Sequence, residues 1–167
     1  MMEIHRTADV LPVGSRDLYV SIGVFDGVHQ GHREIFRRLV SISRKSGAKS
    51  AVITFDPHPR TVIKPQKKHP RIMSIDHRLL ILEKMGIDVT FVINFTKHLA
   101  SMGPDDFVEK VLGNIGTKDV FVGENFHFGR GKHGNIKTFK RIGKNYGIDV
   151  HSVKPVKKKG RIVSSTW

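Results

Sequence analysis

Five short apolar stretches recur along the chain, and each is rich in β-branched and aromatic residues. Such stretches are typical of buried strands, because these side chains pack well on a pleated surface. The pattern predicts strands over residues 18–25, 50–55, 88–93, 120–122 and 148–153.

Between these stretches the apolar residues recur at helical spacing. The first such segment, 31–46, is expected to bury one stripe made of Ile35, Phe36, Leu39, Val40 and Ile42. The second follows Ser74, a suitable N-cap, and is expected to bury Leu79, Leu80, Leu82 and Met85. Two further helices are predicted, one starting at Pro104 and one over 136–145.

Strands that alternate with helices of this length predict an α/β fold, in which a parallel sheet is flanked by helices. In such a sheet, ligands bind beyond the carboxyl ends of the strands, at a switch point in the strand order. The loops at Gly23, Pro57 and Gly123 each follow a predicted strand directly. We therefore expect these three loops to meet at one edge of the sheet.

Composition and charge exclude some classes of function and favour others. The chain has 167 residues, which fits a single domain, and it has no cysteine, so disulfides and thiol chemistry are excluded. No apolar run is long enough to span a bilayer, and no targeting segment is recognised at the start, so the cytoplasm is the expected compartment. The 29 Lys and Arg outnumber the 15 Asp and Glu, which gives a net charge of +14 and favours anionic ligands.

The loop over residues 23–32 carries the strongest chemical signal. Glycines at 23, 27 and 31 allow a tight turn between strand and helix, and free N–H groups at the start of that helix favour phosphate. His29 and His32 flank Gly31, so both imidazoles can face one anion and can become charged near neutral pH. A metal site and a pair of surface histidines are the alternatives for these two residues. Asp26 either contacts the ligand or braces the loop.

Four stretches together carry a family resemblance. They are Gly23-x-Phe25-Asp26-Gly27-x-His29-x-Gly31-His32, the run 54–60 (Thr-Phe-Asp-Pro-His-Pro-Arg), the run 122–129 around Asn125, and the run 163–166 (Val-Ser-Ser-Thr). The first resembles the H-x-G-H motif of nucleotidyltransferases. All four, in this order, resemble the prokaryotic FAD synthetases, which are bifunctional riboflavin kinase/FMN adenylyltransferases.

The resemblance implies a Rossmann-like fold and the transfer of AMP from ATP to FMN, with Mg²⁺ accompanying ATP and with FAD and pyrophosphate as products. It assigns His29 and His32 to catalysis. It assigns ATP binding to the loop and to the hydroxyl-rich segment, that is to Gly23, Phe25, Asp26, Gly27, Gly31, Ser164, Ser165 and Thr166. No residue is assigned as a direct metal ligand.

FMN needs an apolar wall with polar groups at its rim. The two remaining motifs supply such groups in Phe55, Pro57, His58, Pro59, Asn125 and Phe128. Asn125 is the preferred FMN contact, because its amide both donates and accepts hydrogen bonds. Phe126 and Phe128 alternate along the chain, so one of them is expected to face the core.

The sequence departs from the family in two respects. We expect residues 1–167 to form a single FMN adenylyltransferase domain without a C-terminal riboflavin kinase domain. The family motif also continues to an arginine, whereas Trp167 follows Thr166 here. A separate kinase partner and the oligomeric state are left open. The alternatives are a nucleotidyltransferase that uses another phosphorylated acceptor and, less favoured, a basic nucleic-acid-binding module. A membrane partner is not expected.

Overall fold

A computed structural model describes residues 1–7 and 17–154, together with the backbone of 157–158 and 161–162. Six strands form one parallel sheet: β1 (Glu3–Thr7), β2 (Leu18–Ile22), β3 (Lys49–Phe55), β4 (Val89–Ile93), β5 (Thr117–Gly123) and β6 (Asp149–Val153). Their spatial order is β1-β4-β3-β2-β5-β6. A two-stranded antiparallel ribbon joins β7 (Lys157–Lys158) to β8 (Arg161–Ile162).

Helical segments cover the sheet. They are α1 (Gln30–Lys45), α2 (Pro59–Ile63), α3 (Ile75–Lys84), α4 (Lys97–Ser101), α5 (Pro104–Phe107) and α6 (Ile136–Asn145). A π-helical turn (Val108–Leu112) and a 3-10 turn (Gly113–Ile115) continue α5, and another 3-10 turn spans Arg130–Lys132. The observed α/β architecture confirms the fold class that the sequence predicts.

The core lies in two layers, one on each face of the sheet. In β2, Leu18 and Val20 face a cluster that includes Phe139 of α6, whereas Tyr19 faces a cluster that includes Phe36 of α1. This alternation follows from the two-residue period of a strand. Because both faces are covered, every residue of β2 and of β4 is buried.

Two of the predicted helix stripes need correction. In α1 the buried residues are Ile35, Phe36, Leu39, Val40 and Ser43, whereas Ile42 is exposed. Ser43 takes the core position four residues after Leu39, and its hydroxyl donates to the Val40 carbonyl at 3.0 Å, which satisfies the buried oxygen. In α3, Leu80 is 55% exposed, because it points away from the face that carries Leu79 and Leu82.

Several short elements were not predicted, among them β1, α2, α4 and the β7–β8 ribbon, and one predicted strand is too long. The strand β1 lies at an edge of the sheet and is only partly buried, so it lacks an apolar pattern. The helices α2 and α4 have five residues each, too few to show helical periodicity. The strand predicted over 18–25 ends at Ile22, because the backbone leaves the sheet at Gly23 and reaches the left-handed region at Phe25 (φ 53°).

Candidate functional site

The centre of the sheet contains a switch in strand order. Strand β2 pairs with β3 on one side and with β5 on the other. The chain builds β3 and β4 to one side of β2, and then crosses to build β5 and β6 on the other side. Since all six strands are parallel, the loops after β2, β3 and β5 lie at the same edge, as predicted from the sequence. Crevices at such switch points are the usual ligand sites of open parallel sheets.

The first loop turns sharply, and its Phe25 ring packs between the loop backbone and α1. The Phe25 ring packs against Gly23 so closely that a Cβ atom at Gly23 would lie 2.9 Å from its nearest ring carbon. The same ring meets Phe36 edge to face, with ring centres 4.8 Å apart. Phe25 therefore anchors the loop to α1 from below, and Gly23 provides the space for that ring.

Asp26 is only 7% exposed and holds the loop to the segment that precedes α3. Its two carboxylate oxygens accept hydrogen bonds from the backbone N–H groups of Ile72 (3.4 Å) and Met73 (3.2 Å). Gly27 follows with φ 89°, and a Cβ there would lie 3.1 Å from the Ile72 side chain. This geometry supports the bracing role of Asp26. Its assignment to ATP binding stays a prediction.

His29 is the N-cap of α1. Its Nδ1 accepts hydrogen bonds from the N–H groups of Gly31 (3.1 Å) and His32 (3.4 Å). These two helix N–H groups were expected to be free for phosphate, so this expectation is corrected. Because Nδ1 accepts, the proton of the neutral ring lies on Nε2, which makes Nε2 a donor. The donor available to an anion is therefore the Nε2–H of His29, and not the N–H groups of Gly31 and His32.

The imidazoles of His29 and His32 stack on each other. Their ring centres are 3.6 Å apart with an interplanar angle of 22°, and the Phe25 ring meets His32 edge to face at 5.0 Å. Burial lowers the pKa of His32 to about 3, with smaller contributions from the charges of His29 and Arg78. Burial also lowers the pKa of His29. His32 is therefore neutral at pH 7, whereas the sequence suggested an imidazole that becomes charged near neutral pH.

The second loop follows β3. Phe55 is buried and meets Phe95 edge to face at 5.6 Å, while Pro57, His58 and Pro59 are half-buried. His58 caps α2, since its Nδ1 accepts from the Arg60 N–H at 3.1 Å. Burial lowers the pKa of His58, although the charge of Asp26 acts in the opposite direction.

The third loop follows β5 and presents one exposed amide. Asn125 is exposed, whereas Phe128 is 5% exposed and contacts Phe107, Phe126 and Phe139. Gly134 lies against the Phe128 ring, where a Cβ would come within 2.6 Å. Phe128 is thus the core member of the alternating pair, and its direct contact with FMN stays a prediction. The helix α4 contacts both α2 and the Arg130–Lys132 turn, so it lies between the second and third loops.

The structure does not describe the predicted hydroxyl-rich segment. Ser164, Ser165 and Thr166 lie outside the described residues.

Within the described ranges no group of three or more His, Asp or Glu side chains could hold a metal ion. Asp26 is used by two backbone N–H groups, and Asp56 forms an ion pair with Arg71 at 3.3 Å. No helix among the described residues is long and apolar enough to cross a membrane.

A buried polar pair at this edge was not found by sequence reasoning. Arg78 of α3 is 5% exposed, and its Nη1 donates to the Thr54 hydroxyl (3.0 Å) and to the Phe55 carbonyl (3.3 Å). The Thr54 hydroxyl donates in turn to the Val24 carbonyl at 2.8 Å. The apolar pattern of α3 offered one signal, because it places position 78 beside Leu79 and Leu82, among the buried residues.

The sheet, its switch point and the H-x-G-H sequence at the start of α1 define a Rossmann-like α/β protein of the nucleotidyltransferase type. A family model described as FAD synthetase matches residues 12–167. The chain therefore belongs to the FAD synthetase family.

Named relatives are consistent with this family. The chain is 31% identical over 166 residues to a bifunctional riboflavin kinase/FMN adenylyltransferase of Pseudomonas fluorescens, covering 99% of this chain and 53% of that protein. It is 30% identical to the protein of the same name in Escherichia coli (strain K12), covering 88% of this chain and 47% of that one. The chain thus spans about half the length of the curated relatives it matches.

A solved structure shares the fold. The crystal structure of a macrolide-efflux protein from Streptococcus pneumoniae superposes with a TM-score of 0.83 at 25% identity, covering 99% of this chain and 56% of that one.

Proposed function

We propose that residues 1–167 form one FMN adenylyltransferase domain, which transfers AMP from ATP to FMN and releases FAD and pyrophosphate. The observation that carries this proposal is the stacked His29–His32 pair, placed by the first loop at the switch point of the sheet. Membership of the FAD synthetase family and the names of the relatives support FMN as the acceptor.

The proposed reaction is a single phosphoryl substitution. A phosphate oxygen of FMN forms a bond to the α-phosphorus of ATP, and the bond from that phosphorus to the oxygen bridging the β-phosphate breaks. Pyrophosphate leaves with the electron pair. Mg²⁺ would accompany ATP and would offset the charge of the triphosphate. In the structure Asp26 is engaged by two backbone N–H groups and Asp56 by Arg71.

In this reaction the two histidines act as hydrogen-bond donors. The cap fixes the His29 ring so that Nε2–H is the free donor. A donor that is already oriented stabilises charge that develops on the phosphate oxygens without further reorganisation. His32 stacks on His29 and restricts its ring. Gly23, Phe25, Gly27 and Gly31 shape the loop around this pair.

The acceptor would lie between the second and third loops. Phe55, Pro57, His58 and Pro59 supply apolar surface on one side, and the exposed Asn125 amide supplies a polar contact on the other. Phe128 supports the Asn125 loop from the core. The proposal also includes Ser164, Ser165 and Thr166 as hydroxyl partners of the nucleotide.

The test is to incubate the protein with FMN, ATP and Mg²⁺ and to measure FAD by chromatography. The capping role of His29 determines which variant is informative. His29→Ala removes both the donor and the cap, and loss of a cap costs on the order of 1 kcal/mol. His29→Asn keeps an acceptor oxygen for the N–H groups of Gly31 and His32 and removes only Nε2–H.

We expect His29→Asn to lose on the order of 100-fold in kcat with an unchanged melting temperature, which is the size found for loss of one oriented donor. His32→Ala should lose at least as much. His77→Asn, at an exposed position on α3, is the matched control and should behave as the parent protein. Normal turnover in both His29→Asn and His32→Ala would contradict the assignment of the site.

Titration of FMN with detection by flavin fluorescence tests the acceptor separately. If FMN fails to bind while another phosphorylated acceptor binds and reacts, the chain is a nucleotidyltransferase with a different acceptor. Binding of RNA that weakens steeply with salt, with no competition from FMN and ATP, would instead indicate a nucleic-acid-binding module.

A further inference from the structure

Arg78 is a cation buried without an ion pair. In the described part of the chain no carboxylate lies within ion-pair distance of its guanidinium, whose contacts are the Thr54 hydroxyl and the Phe55 carbonyl. Its Nε is buried and has no hydrogen-bond partner. Burial of a guanidinium is unfavourable unless it is well paired. Burial lowers the pKa of Arg78, and the charges of Asp26 and Asp56 oppose this shift only from beyond ion-pair distance. This arrangement suggests a role other than stability.

The hydrogen bonds of Arg78 have a fixed direction. A guanidinium can only donate, so the Thr54 hydroxyl accepts from Arg78 and directs its single hydrogen to the Val24 carbonyl. The relay therefore runs from α3 through the end of β3 to the first loop. Thr54 is fully buried, which keeps water from replacing either bond.

The Val24 carbonyl lies where the loop backbone changes direction. It lies between Gly23, where the chain leaves the sheet, and Phe25, whose φ of 53° is uncommon for a residue with a side chain. The relay holds the peptide that joins Val24 to Phe25 in one orientation. Phe25 contacts His32 directly, so this peptide is connected to the histidine pair through one side chain.

A second connection joins the same elements. Asp26 accepts from the N–H groups of Ile72 and Met73, which immediately precede Ser74, the N-cap of α3. The segment just before α3 is thus bound to the loop at Asp26, and the first turn of α3 is bound to it through Arg78 and Thr54. Two separate sets of hydrogen bonds therefore connect α3 to the loop.

We propose that Arg78 is a positioning residue for nucleotidyl transfer: through the Thr54 hydroxyl it fixes the Val24 carbonyl, and with it the loop conformation that presents His29 and His32. This inference rests on the proposed function. Arg78 acts behind the loop and has no contact with substrate in the role assigned here.

The kinetic test is a double-mutant cycle with Arg78→Met, Thr54→Val and the combination. Arg78→Met keeps an unbranched apolar stem and removes the donors, and Thr54→Val keeps the shape and removes the hydroxyl. We expect each single variant to lower kcat on the order of 10-fold, the effect of one charge-assisted hydrogen bond. The double variant should lose little more than Arg78→Met alone, because both changes interrupt one relay. The KM for FMN should stay within about two-fold.

Two further variants make the result specific. Arg78→Lys keeps a buried donor and should recover part of the lost kcat. Arg141→Met, at an exposed position on α6, is the matched control and should leave kcat unchanged. The proposal is overturned if kcat per folded molecule is unchanged in Arg78→Met, if the losses in the cycle add in full, or if only the melting temperature falls.

A measurement without substrates separates this proposal from the proposed function. Arg78→Met should shift the NMR signals of the Val24 and Phe25 amides and of the His32 ring, whereas Arg141→Met should not. Unchanged loop signals would refute the relay, whatever the enzyme does. If the parent protein makes no FAD, the proposed function and the role of Arg78 in transfer both fail, and a shift of the loop signals would then report a structural link alone.

Discussion

Acidification from about pH 7 to about pH 4.5 should destabilise this protein through His32. Burial lowers the pKa of His32 from 6.5 in the unfolded chain to about 3 in the folded state. Between these two values the unfolded state binds a proton that the folded state does not bind. The free energy of unfolding must therefore fall as the pH falls through this range.

The magnitude follows from linkage. One pKa unit corresponds to about 1.4 kcal/mol, so at about pH 4.5 a His32 that stays neutral contributes a loss of nearly 3 kcal/mol relative to pH 7. Because the His32 side chain is partly exposed, water reduces the effect, and we expect about 2 kcal/mol. This is a substantial share of the stability of an ordinary domain.

The assay is urea unfolding at both pH values for the parent protein, for His32→Gln and for His98→Gln. Burial also lowers the pKa values of His29 and His58, but both residues are common to all three proteins. The stability lost on acidification should be smaller by about 2 kcal/mol in His32→Gln than in the parent. His98→Gln should match the parent. An equal loss in all three proteins would refute the neutral, buried His32.

Two further predictions concern the loop itself. Gly23→Ala places a Cβ 2.9 Å from the Phe25 ring, so the ring must move, and we expect thermal or urea unfolding to show a loss of about 1–3 kcal/mol. Unchanged stability would mean that the ring adjusts freely. Asp26→Asn leaves one of the two N–H groups of Ile72 and Met73 without its acceptor, and should cost about 1–3 kcal/mol in the same assay, whereas Asp76→Asn, at an exposed position, should cost less than 1 kcal/mol.

The sequence was most informative where periodicity and burial coincide. The helices α1 and α6 and the strands β3 and β4 were predicted within about one residue at either end. The helices bury one apolar stripe, and the strands are short, largely apolar runs buried on both faces. Ile42 and Phe25 show the limit of this reasoning. Apolarity alone does not distinguish a core position from an exposed one, nor a strand residue from an aromatic ring folded beneath a loop.

The candidate site divides in the same way. The sequence predicted that the three loops meet, because each follows a strand and parallel strands end at one edge of the sheet. The capping role of His29 was not predicted, since histidine is not among the usual N-cap residues. Arg78 was not predicted either: its acceptors Thr54 and Phe55 lie 24 and 23 residues earlier in the chain, and only the packing of α3 on the sheet brings them together.

The sequence suggested that the two histidines both donate hydrogen bonds and carry positive charge. The structure separates these two roles. Neutral imidazoles donate hydrogen bonds, but they bring no net charge to a triphosphate. Positive charge from the protein must therefore come from other groups: from Arg78 behind the loop, whose charge acts on His32, and from the excess of lysines and arginines that gives the chain its charge of +14. Charge at a distance attracts the anion and is screened by salt, whereas an oriented N–H acts only at contact. In this arrangement the stacked pair would act at the reacting phosphorus, and the basic surface would set how readily ATP reaches it.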